Sequence, residues 1–351
     1  MQTQFSLTDS QVGLIITVFT LPGIVLAPLL GALADRFNRR AVLVPCLVGF
    51  GFSGGAIAFV DSFASLLFLR FLQGATSSAL IGISVTLIGD LYNGTQRDTL
   101  MGVNRSALSI GAMTYPAIGG ALATIAWNTP FLLHFLSIPV GLFALYALEA
   151  QEIEQEYTGI TYLTNAVSAL PLRETLILFI AVFSSIGLLF GAILTALPLL
   201  LSRTFGLSAF EIGLLLAVAS AANATVSFQS GRLTSAFSPR PLIVVGFVSY
   251  GIALTGIAIA PSPIFVVFAI VFFGIGEGLA MPLLDTELSK LAPTEFRAGV
   301  MAVRTSVIRL AQTIGPVAFT GVATITGYEP LLLATGIFTG LIAIALLIQL
   351  R

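Results

Sequence analysis

Long apolar runs broken by short polar turns dominate this chain. No formal charge occurs from Gln11 to Ala34, and none again from Ala41 to Val60. Apolar runs of about twenty residues are long enough to cross the roughly 30 Å hydrocarbon core as helices. The pattern predicts eleven such spans, near 12–34, 41–60, 63–89, 100–125, 130–148, 175–201, 211–233, 241–260, 263–289, 298–325 and 330–350. Trp127–Asn128–Thr129–Pro130 supplies the turn that divides an otherwise charge-free run from Ser106 to Leu148. The expected fold class is an all-α membrane protein.

Composition agrees with a lipid solvent: 57% of the residues are hydrophobic and 9% charged, with a mean hydropathy of +1.03. The few charges are unevenly spent. The segment GALADRFNRR, 31–40, packs Asp35, Arg36, Arg39 and Arg40 into six positions. Lys and Arg collect in cytoplasmic loops, so this turn is expected inside. Alternate loops then put Arg97, Arg105, Arg173, Arg232, Arg240, Lys290, Arg297, Arg304 and Arg351 at inner ends, with Arg203 outside. The expectation is a multi-pass protein of the cell membrane with a cytoplasmic C-terminus.

Net charge is −1, which gives no reason to expect nucleic acid as a partner. The lone cysteine, Cys46, permits no intrachain disulfide, and the lone histidine, His134, has no second ligand at metal spacing. No GxSxG, HExxH or P-loop pattern occurs. No cofactor, metal or enzymatic activity is expected.

The chain also repeats itself. Shifted by 200 residues, FSLTDSQVGL at 5–14 meets FGLSAFEIGL at 205–214, and GALADRFNRR meets GRLTSAFSPR at 231–240. GTQRDTLMGVNRS at 94–106 meets TEFRAGVMAVRTS at 294–306; Pro116 meets Pro316 and Pro130 meets Pro330. A parallel duplication of this kind builds two-halved transporters. In this register the span 175–201 has no counterpart, because its equivalent would precede Met1. The first half therefore has five helices and the second six.

Three motifs carry a resemblance. Gly31, Leu33, Asp35, Arg36, Arg39 and Arg40 match the loop signature G-x-L-a-D-R-x-G-R-R/K of the major facilitator superfamily, with Asn38 in place of its Gly. RFLQG at 70–74 is similar to the R-x-x-q-G pattern of the family's fourth helix. GAMTYPAIGG at 111–120 resembles the antiporter pattern G-x-x-x-G-P-x-x-G-G of its fifth helix; Gly111, Pro116, Gly119 and Gly120 match, while Tyr115 replaces the second Gly. The resemblance covers essentially the whole chain, is nearest to drug:proton antiporters, and lacks the family's first helix. It implies two helical bundles around a central cavity: residues 1–148, a cytoplasmic linker 149–174, and residues 175–351. The charges of the 31–40 loop either only hold the turn inside or form a latch, with Asp35 pairing with Arg97 or capping a helix and Arg36, Arg39 and Arg40 reaching Asp90. The resemblance implies that such a gating network locks the two halves when the transporter faces outward. Pro116 and its glycines would bend a cavity helix, or simply let helices pack closely.

Charges inside the spans are the remaining signal, since each costs roughly 2.5–3.5 kcal/mol at a helix centre. Arg70 lies within its span, with Gln73 one turn on; Glu277, Asp285 and Glu287 lie on the repeat-equivalent span. Asp285–Arg304 and Glu277–Arg309 sit at matching depths and are candidate structural rungs. Glu287 lies near the surface, where solvent would suffice. Glu277, near the bilayer midplane in GIGEGLAMP, is the candidate proton-coupling group, because protonation removes its charge. Arg70, Gln73, Tyr115 and Arg309 are candidate substrate contacts. The expected function is alternating-access transport, as a monomer, with a small organic molecule exported against protons. A symporter on the same fold and a channel are the alternatives.

Overall fold

The computed structural model describes residues 4–148, 171–291 and 297–349. Most of the predicted linker, 149–170, lies outside the described residues. Every described element is helical, with no strand among them. Nine helices among the described residues are long and apolar enough to cross a membrane. The other two predicted spans, 100–125 and 298–325, form the 30-residue helices Gly94–Ala123 and Arg297–Thr326. They are long enough but less apolar, because each carries polar residues along its length, such as Asn104 and Arg105 or Arg304, Arg309 and Gln312.

Two compact units result: Met1–Gly111 with Ala121–Tyr157, and Thr158–Arg351 with Ala112–Gly120. Their internal packing follows the 200-residue repeat. In the first unit, Arg39–Ala56 packs on Phe63–Ser77 and on Ser137–Ala147, and Asp9–Thr20 packs on Phe63–Ser77. In the second, Pro239–Ala258 packs on Pro263–Leu291 and Tyr328–Gln349, and Ala209–Ala236 packs on Pro263–Leu291. The duplication read in the letters is thus a duplication of contacts.

The two repeats begin their helices in the same way. Thr8 accepts from the Gln11 amide N–H, and its own N–H donates to Gln11 Oε1 at 2.9 Å. Two hundred residues on, Ser208 accepts from the Glu211 N–H and donates its N–H to Glu211 Oε2 at 2.7 Å. Both are capping boxes, each satisfying two helix-end donors reciprocally. Ser208→Ala is expected to cost about 1 kcal/mol, read as a lower unfolding midpoint, whereas Ser208→Thr should retain it.

Glycine places the crossings. A Cβ on Gly74 would collide with the Phe19 carbonyl, and one on Gly274 with the Ala219 carbonyl. These positions are again repeat equivalents. Without side chains, the two backbones of each pair approach closely, which is how helices associate in lipid.

Two helices depart from the predicted shape. The first span is divided at Leu21 into Asp9–Thr20 and Pro22–Phe37. Pro22 has no N–H to donate and so restarts the helix at its first position. The span near 175–201 runs from Leu172–Gly187 through a π-helical stretch, Leu188–Ala196, into Leu197–Thr204. Within it the Thr195 hydroxyl donates to the Phe190 carbonyl at 2.7 Å, five residues back.

Candidate functional site

The charged turn at 31–40 ends one helix and starts the next. Asn38 takes φ 139° and ψ 133°, a positive-φ conformation that favours glycine, rather than the left-handed helical region in which Asn is usually tolerated. Its Oδ1 accepts from the Arg40 N–H at 2.9 Å. Arg39 is buried and pairs through Nε with Asp90. Arg40 does not reach Asp90; its Nη1 donates to the Leu148 carbonyl at 3.0 Å, satisfying an orphan acceptor at a helix end. Gly31 borders open space, and the Arg97 guanidinium lies near Gly89. The side chains of Asp35 and Arg36 lie outside the described residues.

The second unit has a tie of its own on other positions of the repeat, since Asp90 corresponds to Lys290 and Glu287 to Leu87. Arg240, the repeat equivalent of Arg40, meets Glu287 at 3.4 Å, and Lys290 Nζ donates to the same carboxylate at 2.9 Å. Glu287 is therefore a buried, paired group and not a solvated one.

Arg70 and Gln73 share one turn of Phe63–Ser77. Arg70 Nη1 donates to Gln73 Oε1 at 3.0 Å. The guanidinium carbon lies 5.8 Å from the Phe19 ring centroid and 5.0 Å from that of Phe131, a cation–π arrangement on two sides. Gln73 is fully buried. His134, beside Gln73, directs Nδ1 to the Phe131 carbonyl at 2.9 Å and packs its ring against Phe50 and Phe131. It is held as a structural group, with no ligand role on display.

Glu277 sits on Pro263–Leu291 and is 7% exposed. Its partner is Tyr250, fully buried on Pro239–Ala258, whose hydroxyl donates to Oε2 at 2.6 Å. The rung Glu277–Arg309 is not formed: Arg309 donates to Gln312 Oε1 at 3.3 Å, one turn along its own helix, and no cation among the described residues lies within ion-pair distance of Glu277. The rung Asp285–Arg304 is formed. The difference is geometric. Matching depth on antiparallel helices sets height but not the facing direction, and the phenol occupies the side toward which Glu277 points.

Tyr115 is 65% exposed. Gly94–Ala123 runs unbroken through Gly111, Pro116 and Gly119. Gly119 faces open space, while Gly120 lies against the Ala209 backbone with no room for a methyl. A largely apolar cavity of about 380 Å³ in the second unit, lined by Phe183, Leu188, Phe319, Val322 and Phe338 among others, takes in none of the predicted site residues. Sequence reasoning missed Tyr250, Phe19 and Phe131. Aromatic residues in apolar spans carry no signal of their own.

Comparison with known proteins adds four findings. The family model described as Major Facilitator Superfamily matches residues 1–185 and 175–351. The chain is 27% identical over 332 residues to a bacillibactin exporter of Bacillus subtilis (strain 168), covering 91% of this chain and 82% of that protein. It is 24% identical over 313 residues to a class B tetracycline resistance protein of Escherichia coli, covering 88% and 77%. The crystal structure of nucleoside transporter NupG is similar at a TM-score of 0.80 and 12% identity, covering all of this chain and 93% of that one.

Proposed function

The chain belongs to the Major Facilitator Superfamily, and from that premise we propose that it is a proton-coupled exporter of small organic molecules, working by alternating access. Membership makes it a multi-pass membrane transporter with a small-molecule substrate. Export is favoured because the relatives carry exporter and resistance names.

The observation that carries the coupling assignment is Glu277. It is a buried carboxyl in a membrane helix, hydrogen-bonded by a neutral phenol and paired with no cation among the described residues. An ion pair would hold such a group charged through the cycle. A phenol hydrogen bond is compatible with either state, because a protonated carboxyl still has oxygens to accept it. A group that alternates between those states, and loses its charge penalty when neutral, couples proton entry to the change of face.

Inverted membrane vesicles with an acidic interior test the assignment. Saturable uptake of a small organic probe should follow the gradient and collapse when a protonophore is added. Uptake that saturates but ignores the gradient removes proton coupling. Flux that never saturates points to a channel.

The Arg39–Asp90 pair is assigned a latch role in the same cycle. Arg39→Asp and Asp90→Arg should each lower transport by more than they lower the amount of folded protein. The double reversal should recover a large part of it, because the attraction is restored with opposite polarity. If neither single change affects transport, the loop serves topology alone.

A further inference from the structure

We propose that the apolar cavity of the second unit is a lipid site, taking one acyl chain of a bilayer phospholipid between Arg297–Thr326 and Tyr328–Gln349. Such a site requires only that these helices cross a bilayer. It does not depend on what the protein exports. The cavity follows from how three helices are joined. Arg297–Thr326 and Tyr328–Gln349 are linked by Gly327 alone, at φ 84°. Tyr328–Gln349 then packs mainly on Pro239–Ala258, which leaves a gap toward Arg297–Thr326. Leu172–Gly187 forms the floor. A Cβ on Gly315 would stand 3.0 Å from the Gly187 carbonyl oxygen. The two helices that meet there are already in backbone contact, so closer approach cannot fill the gap. The volume left is about 380 Å³, more than twice that of an apolar cavity of about 150 Å³ that binds benzene.

The lining decides the class of occupant. It includes no charged side chain, and both of its threonines are committed to backbone. Thr335 donates to the Leu331 carbonyl and Thr339 to that of Gly336, each at 2.7 Å. Ser184 supplies the remaining hydroxyl. A polar ligand would give up its water here for little return, whereas a hydrocarbon gives up nothing. Ile314, Val322 and Phe338 line the cavity and are exposed, so it opens on an apolar surface of the unit. Length then selects a chain over a compact molecule. On Tyr328–Gln349 the lining runs from Leu331 to Thr339, about 5 to 17 Å from the helix start at 1.5 Å per residue. One leaflet is half of the roughly 30 Å hydrocarbon core, so the cavity reaches through the depth that an acyl chain occupies. At its shallow end the Arg203 guanidinium carbon lies 6.0 Å from the Tyr328 ring centroid, a cation and an aromatic at the level of the membrane interface. The bilayer supplies such chains at higher concentration than any solute, which makes phospholipid the occupant.

Trp127 is the chain's single tryptophan, so an emission reporter can be moved. The full chain in detergent, carrying Trp127→Phe with Phe338→Trp, should be titrated with phosphatidylcholine brominated in its acyl chains, which quenches indole emission on contact. Quenching is expected to saturate with a single bound lipid. Ile337→Trp in the same Trp127→Phe background is the control, because Ile337 is 61% exposed and outside the lining. Its quenching should climb gradually with lipid and show no such saturation. Ala318→Phe and Ala334→Phe each place a ring in the cavity from a different helix. Each should weaken the saturable phase at least about tenfold, with an unfolding midpoint that holds or rises, because filling a cavity does not open one. The same gradual quenching at both reporter positions overturns the proposal, as does a saturable phase that survives both fillings. Brominated stearate that saturates the reporter at lower concentration makes the occupant a free fatty acid, and overturns it too. Transport is not measured, so failure here leaves the exporter reading untouched.

Discussion

Glu277→Gln is expected to abolish substrate accumulation driven by a pH gradient while leaving substrate binding and exchange intact. The substitution keeps the shape of the side chain and an oxygen that can accept from the Tyr250 hydroxyl. It removes only the proton and the charge. Because a charge at the centre of a membrane helix costs roughly 2.5–3.5 kcal/mol, the variant should be at least as abundant in the membrane as the parent, and lost accumulation cannot then be put down to misfolding. Tyr250→Phe should have an intermediate effect. It withdraws a hydrogen bond worth about 1.5–3 kcal/mol to the charged carboxylate and leaves titration in place, so accumulation should persist with a shifted pH dependence. Gradient-driven uptake in inverted vesicles, set beside counterflow without a gradient, separates the two steps. A Gln variant that accumulates substrate normally removes Glu277 from the coupling path.

The largest structural effect is expected at the crossings. Gly74→Ala puts a methyl where the Phe19 carbonyl already is, and Gly274→Ala does the same against Ala219. Both obstacles are backbone, so neither can swing aside as a flexible side chain would. Overpacking of this kind costs about 1–3 kcal/mol even where side chains can shift, and these two positions should lie at the upper end or beyond it. Gly119→Ala is the control, because nothing stands near its missing Cβ. Thermal unfolding of the purified proteins should show large falls for the first two and little change for the third. Equal midpoints for all three would mean that the helices slide apart at little cost.

The helices, their repeat and the family were legible in the sequence because each rests on one-dimensional information: run length, charge position and motif spacing. Glu277 was legible for the same reason, since an acid so far inside an apolar run stands out. Its partner was not, because a tyrosine in an apolar helix reads as packing until a second helix is placed beside it. The division of labour between Arg39 and Arg40 was equally hidden. They are neighbours in the chain, but consecutive positions at a helix start point in different directions, one to Asp90 and one to Leu148. Other signals were present and went unread. Thr8 with Gln11 and Ser208 with Glu211 have capping-box spacing, and Pro22 marks the break at Leu21. The facing of Arg309 is three-dimensional, and no spacing rule contains it.

The π-helical stretch Leu188–Ala196 changes how this helix can be compared with others. A π-turn bonds i to i+5, so each residue advances around the axis by less than in an α-turn. Leu197–Thr204 is therefore turned relative to where a uniform α-helix would have carried it, and no single helical wheel describes both ends. An alignment that removes one residue from this stretch would tighten it toward α geometry and swing the whole of 197–204 to a new azimuth. Small insertions and deletions between relatives in this stretch should thus act as rotations of the helix beyond it, altering which side chains face the protein without changing a letter of the segment that moves.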